Sequence, residues 1–204
     1  MREIELKAVV DDLDARRRAI IESGGSLIFE GRLEDRRYDT GADALQKRDE
    51  VVRTRTYREA GGGSRTSLDW KGPRTLERGY RVREEHSVSV DSLDSLEAIL
   101  TGLGYRVTKA IDRHIIQFEL LGAMVRFEQY PRMDDLVEVE GEPAAIERAI
   151  ALLGMRREAF TTDSLATFAE RYEERTGTAA AVSDGDLVTA TTRVQADGDG
   201  SERA

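Results

Sequence analysis

Charged residues recur at every second position along most of the extended segments of this chain, and their signs are sorted. The same-parity sets are Glu3/Glu5/Lys7, Arg53/Arg55, Asp69/Lys71, Arg81/Arg83/Glu85, Arg126/Glu128 and Glu138/Glu140. Side chains alternate across a strand, so each set shares one face. In an ordinary antiparallel sheet that face looks at water and carries scattered charges of both signs. Here acidic ends bracket a basic middle. If the sheet closes into a barrel, the faces share one lumen, and the alternating apolar residues Ile4, Leu6, Val52, Val82, Val125, Val137 and Val139 face outward beneath helices.

A lumen crowded with guanidinium groups costs several kcal/mol per uncompensated ion. An anion therefore belongs inside it. Arginine forks match phosphate oxygens bidentately and lysine acts as a compact charge, so the mixture suits a polyphosphate. Carboxylates at the rim fit a hard cation that would bridge to phosphate oxygens. The chain has no cysteine and two histidines, His86 and His114, so any metal sits mainly on oxygen, as magnesium, manganese or calcium does. Both histidines read as surface or partly buried polar residues, and Trp70 as an outward core residue.

The remaining organisation is that of an α+β chain. Strands are expected over Glu3 to Val9, Ser26 to Thr40, Glu50 to Arg58, Arg65 to Lys71, Arg78 to Val90, Tyr105 to Leu121, Met124 to Tyr130 and Leu136 to Glu140. Helical spacing marks Asp11 to Gly24, Leu93 to Leu103 after the cap Asp91-Ser92, Gly141 to Met155 and Thr162 to Arg175. Gly61-Gly62-Gly63 is a hairpin, with no Gly-Lys-Ser/Thr after it to make a phosphate-binding loop. Residues 1–175 read as one domain, and 176–204, rich in Ala, Thr, Asp and Gly, as an acidic, poorly ordered tail.

With a net charge of -9 and a pI near 5.0, the chain does not resemble a nucleic-acid coat, which is basic overall. Met1 leads straight into charged residues, and no stretch approaches the roughly 20 apolar residues that span a bilayer. The expectation is a cytoplasmic protein that binds neither nucleic acid nor membrane.

Five segments, in order, resemble the CYTH or triphosphate tunnel metalloenzyme superfamily, which includes class IV adenylyl cyclases, thiamine triphosphatases and inorganic triphosphatases. Glu3-Ile4-Glu5-Leu6-Lys7 is similar to its ExExK signature, Asp35-x-x-Tyr38-Asp39 to its second-strand motif and Arg53-Thr54-Arg55 to its R-x-R. Leu68-Asp69-Trp70-Lys71-Gly72-Pro73 is similar to L-T-x-K-G-P, with Asp69 in place of the threonine, and Val137-Glu138-Val139-Glu140-Gly141 to the closing strand. The resemblance implies a closed antiparallel β-barrel, the triphosphate tunnel, with helices packed outside. It implies Mg2+ or Mn2+ on Glu3, Glu5, Glu138 and Glu140, with Glu128 and Glu85 as further candidates. It places the phosphates on Lys7, Arg53, Arg55, Lys71, Arg83, Lys109 and Arg126, and puts Glu5, Lys7 and Glu138 among the catalytic groups. The basic residue often found two after Lys109 is Ile111 here, with Arg113 nearby.

The activity so implied is hydrolysis of inorganic triphosphate, thiamine triphosphate or a nucleoside triphosphate. The alternative is a class IV adenylyl cyclase converting ATP to cyclic AMP and pyrophosphate. A non-catalytic polyphosphate- or nucleotide-binding module is the third reading, and a ligand-free structural barrel the fourth. The expected partner is a triphosphate-containing small molecule, and a homodimer is left open.

Overall fold

The computed structural model describes residues 2–188. Among the described residues are nine strands and four α-helices of ten residues or more: β1 (Arg2–Val9), α1 (Leu13–Glu22), β2 (Ser26–Thr40), β3 (Val51–Glu59), β4 (Ser64–Lys71), β5 (Thr75–Glu77), β6 (Tyr80–Val90), α2 (Leu93–Gly102), β7 (Tyr105–Leu120), β8 (Ala123–Gln129), β9 (Leu136–Gly141), α3 (Pro143–Leu153) and α4 (Leu165–Thr176). The strands run in the order β1-β9-β8-β7-β2-β3-β4-β6, and β6 pairs back onto β1. Eight antiparallel strands thus close a barrel, and closure removes the free edges an open sheet would expose. Short β5 lies outside the ring on β6.

The helices start where side chains satisfy their free N–H groups. Asp12 accepts from the Ala15 amide at 2.9 Å, and Ser92 and Ser164 cap α2 and α4 in the same way. Helix α3 begins at Pro143 and ends on Gly154, whose φ of 68° suits a residue without Cβ.

The main core lies between the outside of the barrel and helices α1 and α3. Ile4, Leu6, Val82, Val125, Val137 and Val139 pack there with Ile20, Ile146, Ile150 and Leu153. Six of the seven residues expected to face outward are in this cluster, and Val52 is half-buried on another wall. A second cluster joins Phe168 of α4 to Ile111, Tyr130, Met133 and Leu136. No helix among the described residues is long and apolar enough to cross a membrane.

The lumen departs from its expected wholly charged character on one wall. Leu33, Tyr57 and Ile115 point inward beside the charged residues of their strands and join Phe29 in a small apolar cluster. Phe29 meets Tyr57 edge-on at 5.3 Å between ring centroids. Parity tells which residues face inward but not how far along the barrel axis the polar stretch extends.

The first residues of the expected tail are packed against the barrel. The Asp112 amide donates to the Val182 carbonyl at 2.8 Å, Arg132 and Ala181 form a bridge, and Arg32 reaches Asp184 at 2.6 Å. These polar contacts are not visible in a composition of Ala, Thr, Asp and Gly. The remainder of the expected tail lies outside the described residues.

Candidate functional site

Inside the barrel, toward the N-terminal end of α4, lies a cavity of ≈ 230 Å³ whose wall carries nine cationic side chains against three carboxylates. The cations are Lys7, Arg37, Arg53, Lys71, Arg81, Arg83, Lys109, Arg113 and Arg126; the carboxylates are Glu5, Glu128 and Glu138. They come from all eight barrel strands, which is why no short motif contains them all. Ser164, Leu165 and Ala166, at the start of α4, complete the lining.

Most of these cations already carry a protein anion: Arg81 pairs with Glu5 at 3.3 Å, Arg83 with Asp49 at 2.7 Å and Arg113 with Glu128 at 2.9 Å. Arg53 and Arg55 are held by Asp35, Asp69 and Glu85. Arg126 contacts Glu128 at 3.3 Å and pairs with Glu138, and Lys7 pairs with Glu138 from the other side. Lys71 pairs with Glu3. Five guanidinium nitrogens on the cavity wall have no hydrogen-bond partner although buried: Nε of Arg37, Arg81, Arg83 and Arg126, and Nη1 of Arg113. A buried donor left unpaired costs about 1–3 kcal/mol, and more when charged. Donors of this kind suit an anion in the cavity.

Arg37 and Lys109 face each other across β2 and β7, next to a β-bulge between Arg37 and Tyr38. Their pairing continues the register of Asp35 with Ile111, and the shift follows it. Burial pushes the Arg37 guanidinium below its ordinary range, and Arg53 and Arg113 push the same way against Asp35. Burial and then Arg37 lower Lys109. Arg37 was not foreseen from sequence, and Arg113 only as a neighbour of Lys109. In β2 the adjacent Arg36 masks the inward alternation of Asp35 and Arg37; Arg36 itself turns to Asp112 at 2.7 Å.

The expected metal ligands fall into two groups. Glu128 is engaged at both oxygens: Arg113 Nε donates to Oε1 at 2.9 Å and the Tyr130 hydroxyl to Oε2 at 2.7 Å. Glu138 is held between Lys7 and Arg126. These two carboxylates position cations. Glu5 and Glu140 face each other across β1 and β9, and Glu3 follows on the same face of β1. Burial raises the Glu140 carboxyl, and the nearby charge of Glu3 raises it further. For Glu5, burial acts upward but Lys7, Lys71 and Arg81 outweigh it, so its pKa is lowered to about 2. Among the described residues no three carboxylates or imidazoles converge as a ready-made cage. The mutual repulsion of Glu140 with Glu3 and Glu5, on oxygen donors alone, is the feature that fits a hard divalent cation.

Beyond Arg55 and Arg126 a second cavity, ≈ 400 Å³, is lined by Glu3, Glu85, Glu140, Tyr57, Gln117 and Met124. Other motif residues are structural. Asp39 accepts from the backbone amides of Thr40, Leu45 and Gln46 at 2.7–3.0 Å and so fixes the turn after β2. The Tyr38 hydroxyl donates to Glu97 of α2 at 3.2 Å. His86 is exposed beside Glu84, and Trp70 is half-buried against the His86 ring.

No family model matches the sequence, and no curated protein matches it. Solved structures do match. A protein described as a candidate adenylate cyclase from Vibrio parahaemolyticus superposes with a TM-score of 0.69 at 19% identity, covering 82% of this chain and 97% of that one. A candidate adenylyl cyclase from Hippeastrum, described as having a dominant triphosphatase activity, gives 0.59 at 16% identity over 86% and 96%. A chain in the Schizosaccharomyces pombe Mediator head module gives 0.55 at 14% identity over 76% and 92%. Likeness at such identities speaks for architecture, since one fold hosts unrelated functions. The closed eight-stranded antiparallel barrel with helices outside it, which the five motifs implied, is the fold of this chain.

Proposed function

We propose that this protein is a metal-dependent triphosphatase that draws the phosphate chain of an inorganic or organic triphosphate into the cationic cavity. The observation that carries this reading is the set of five guanidinium nitrogens without a hydrogen bond, on Arg37, Arg81, Arg83, Arg113 and Arg126, around one cavity with a threefold excess of cations. Phosphoryl transfer asks a protein mainly for positioning and charge neutralisation. The arginines supply forked donors, and Lys7, Lys71 and Lys109 supply compact charges. Glu128 and Glu138 keep Arg113, Arg126 and Lys7 aimed while leaving the wall net positive.

Glu3, Glu5 and Glu140 are the residues proposed to hold Mg2+ or Mn2+. A cation bound there would neutralise phosphate oxygens and lower the pKa of bound water. Glu5, held ionised by its cationic neighbours, can accept a hydrogen bond from water at the same end of the cavity.

The second reading is an adenylyl cyclase, in which the ribose hydroxyl attacks the α-phosphorus and pyrophosphate leaves. The larger chamber bearing Tyr57, Gln117 and Met124 supports it, because an organic group could lie there. Two of the neighbours named above, from Vibrio parahaemolyticus and Hippeastrum, carry these two activities in their descriptions. The deciding experiment offers the purified full chain tripolyphosphate, thiamine triphosphate and ATP with Mg2+ or Mn2+, and measures phosphate, pyrophosphate and cyclic AMP separately. Phosphate without cyclic AMP is the expected result. Cyclic AMP with pyrophosphate would replace the hydrolase by the cyclase, and binding without turnover would leave a non-catalytic polyphosphate module.

A further inference from the structure

Arg53 has no open edge. Its Nη1 faces Asp35 Oδ2 at 3.2 Å, its Nε faces Asp69 Oδ2 at 3.2 Å and its Nη2 faces Glu85 Oε1 at 3.5 Å. The same Asp69 oxygen pairs with Arg55 Nε, and Arg55 Nη2 lies 3.2 Å from Glu85. Asp69 is the carboxylate that contacts both arginines and is fully enclosed, at 0% exposure. Its other oxygen accepts from the Ser87 hydroxyl at 2.6 Å.

This position follows from register. Asp69 stands opposite Arg53 on β3 and opposite Ser87 on β6, so its side chain points into the lumen between them. A carboxylate and a phosphate present similar oxygen pairs to a guanidinium fork and compete for the same N–H groups. Arginine nitrogens without a hydrogen bond line the neighbouring cavity on Arg37, Arg81, Arg83, Arg113 and Arg126, while Arg55 Nε, which also lacks one, is ion-paired to Asp69.

We propose that Asp69 is a specificity-determining residue that occupies in advance the phosphate seat on Arg53 and Arg55, and thereby sets how far a phosphate chain extends along the tunnel. This rests on the triphosphate reading above and deepens it. A short chain is gripped by the open arginines. A longer one meets Asp69, where its next phosphate must displace a buried carboxylate or stop. Replacing the charge opens the seat and favours the longer chain selectively.

The test is calorimetric titration of the full chain with sodium pyrophosphate and sodium tripolyphosphate, comparing wild type with Asp69→Asn. The ratio of tripolyphosphate to pyrophosphate affinity should rise about tenfold in the variant, the scale of a charge-assisted hydrogen bond. An unchanged or smaller ratio, or equal tightening of both anions as from a general change of charge, would overturn the inference. Should Asp69→Asn fail to fold, Ser87→Ala serves: it keeps the charge but removes the hydroxyl that steadies Asp69, and should raise the ratio about threefold. No change of ratio in a folded Ser87→Ala would then count against it. Wild type that binds neither anion would bring down the triphosphate reading itself, and this inference with it, whereas binding with a fixed ratio sinks only the role of Asp69.

Discussion

Arg37 and Arg53 stand directly opposite each other across β2 and β3, yet Arg53 has three carboxylates around it while Arg37, among the described residues, has no ion pair. The two should respond differently to removal. Arg37→Ala should weaken tripolyphosphate binding about tenfold to a hundredfold with no loss of melting temperature, since it relieves like-charge crowding. Arg53→Ala leaves Asp35 and Asp69 buried without their shared partner and should cost about 3–5 kcal/mol of stability. Calorimetric titration and urea unfolding of both variants check the contrast.

Lys109 lies below the ordinary lysine range because of burial and then Arg37. Its charge is therefore lost, as pH rises, before that of a free lysine at 10.5. A phosphate beside it favours the charged form, so binding at about pH 9 should take up protons and affinity should fall with further alkalinity. The observed binding enthalpy should then depend on the ionisation enthalpy of the buffer. Lys109→Met should reduce that dependence without abolishing it, because Lys7 and Lys71 are lowered too.

For Asp69, burial acts upward and is outweighed by Arg55 and Arg53, so the carboxyl sits below its ordinary value of 3.8. Asp35 behaves alike, with burial opposed by Arg53, Arg37 and Arg113. A depressed folded pKa gives stability that is present above the unfolded value and lost as pH falls through the folded one. Unfolding free energy should therefore drop steeply below about pH 4. Asp69→Asn should be less stable at neutral pH and show a shallower acid limb in the same titration.

Ile146 and Leu153 are fully buried between α3 and the barrel. Truncating either to Ala should cost about 2–5 kcal/mol in urea unfolding, through lost burial and the cavity left behind. Tripolyphosphate affinity of the folded fraction should stay within about twofold, since neither residue borders the tunnel. Val88→Ala, at a 58% exposed position, should change stability by less than about 0.5 kcal/mol.

Strand parity made much of the molecule legible in advance. Glu3, Glu5 and Lys7 share a face because side chains alternate, and that alone sorted valines outward and arginines inward. Position along the barrel axis was not legible, because it depends on register between strands far apart in sequence. Hence Phe29, Leu33, Tyr57 and Ile115 came as an apolar wall, and Asp35 and Asp69 as anions amid the cations they hold. Arg37 was hidden by Arg36 beside it, whose charge blurs the alternation. Residues 177–188 are held by backbone bonds, an Arg32–Asp184 ion pair and a short apolar stretch, Ala180 to Val182, too brief to show a period.

A barrel with its polar side inward presents to water the surface that most small barrels hide. Ile4, Leu6, Val125 and Val139 would form an adhesive exterior if the ring closed bare, and chains meeting in that condition would cling to one another. The chain order guards against this: α3 begins two residues after β9, so the strand that completes the ring is followed at once by the helix that covers it. Separating the two with a long insert at Glu142 would trade refolding for precipitation.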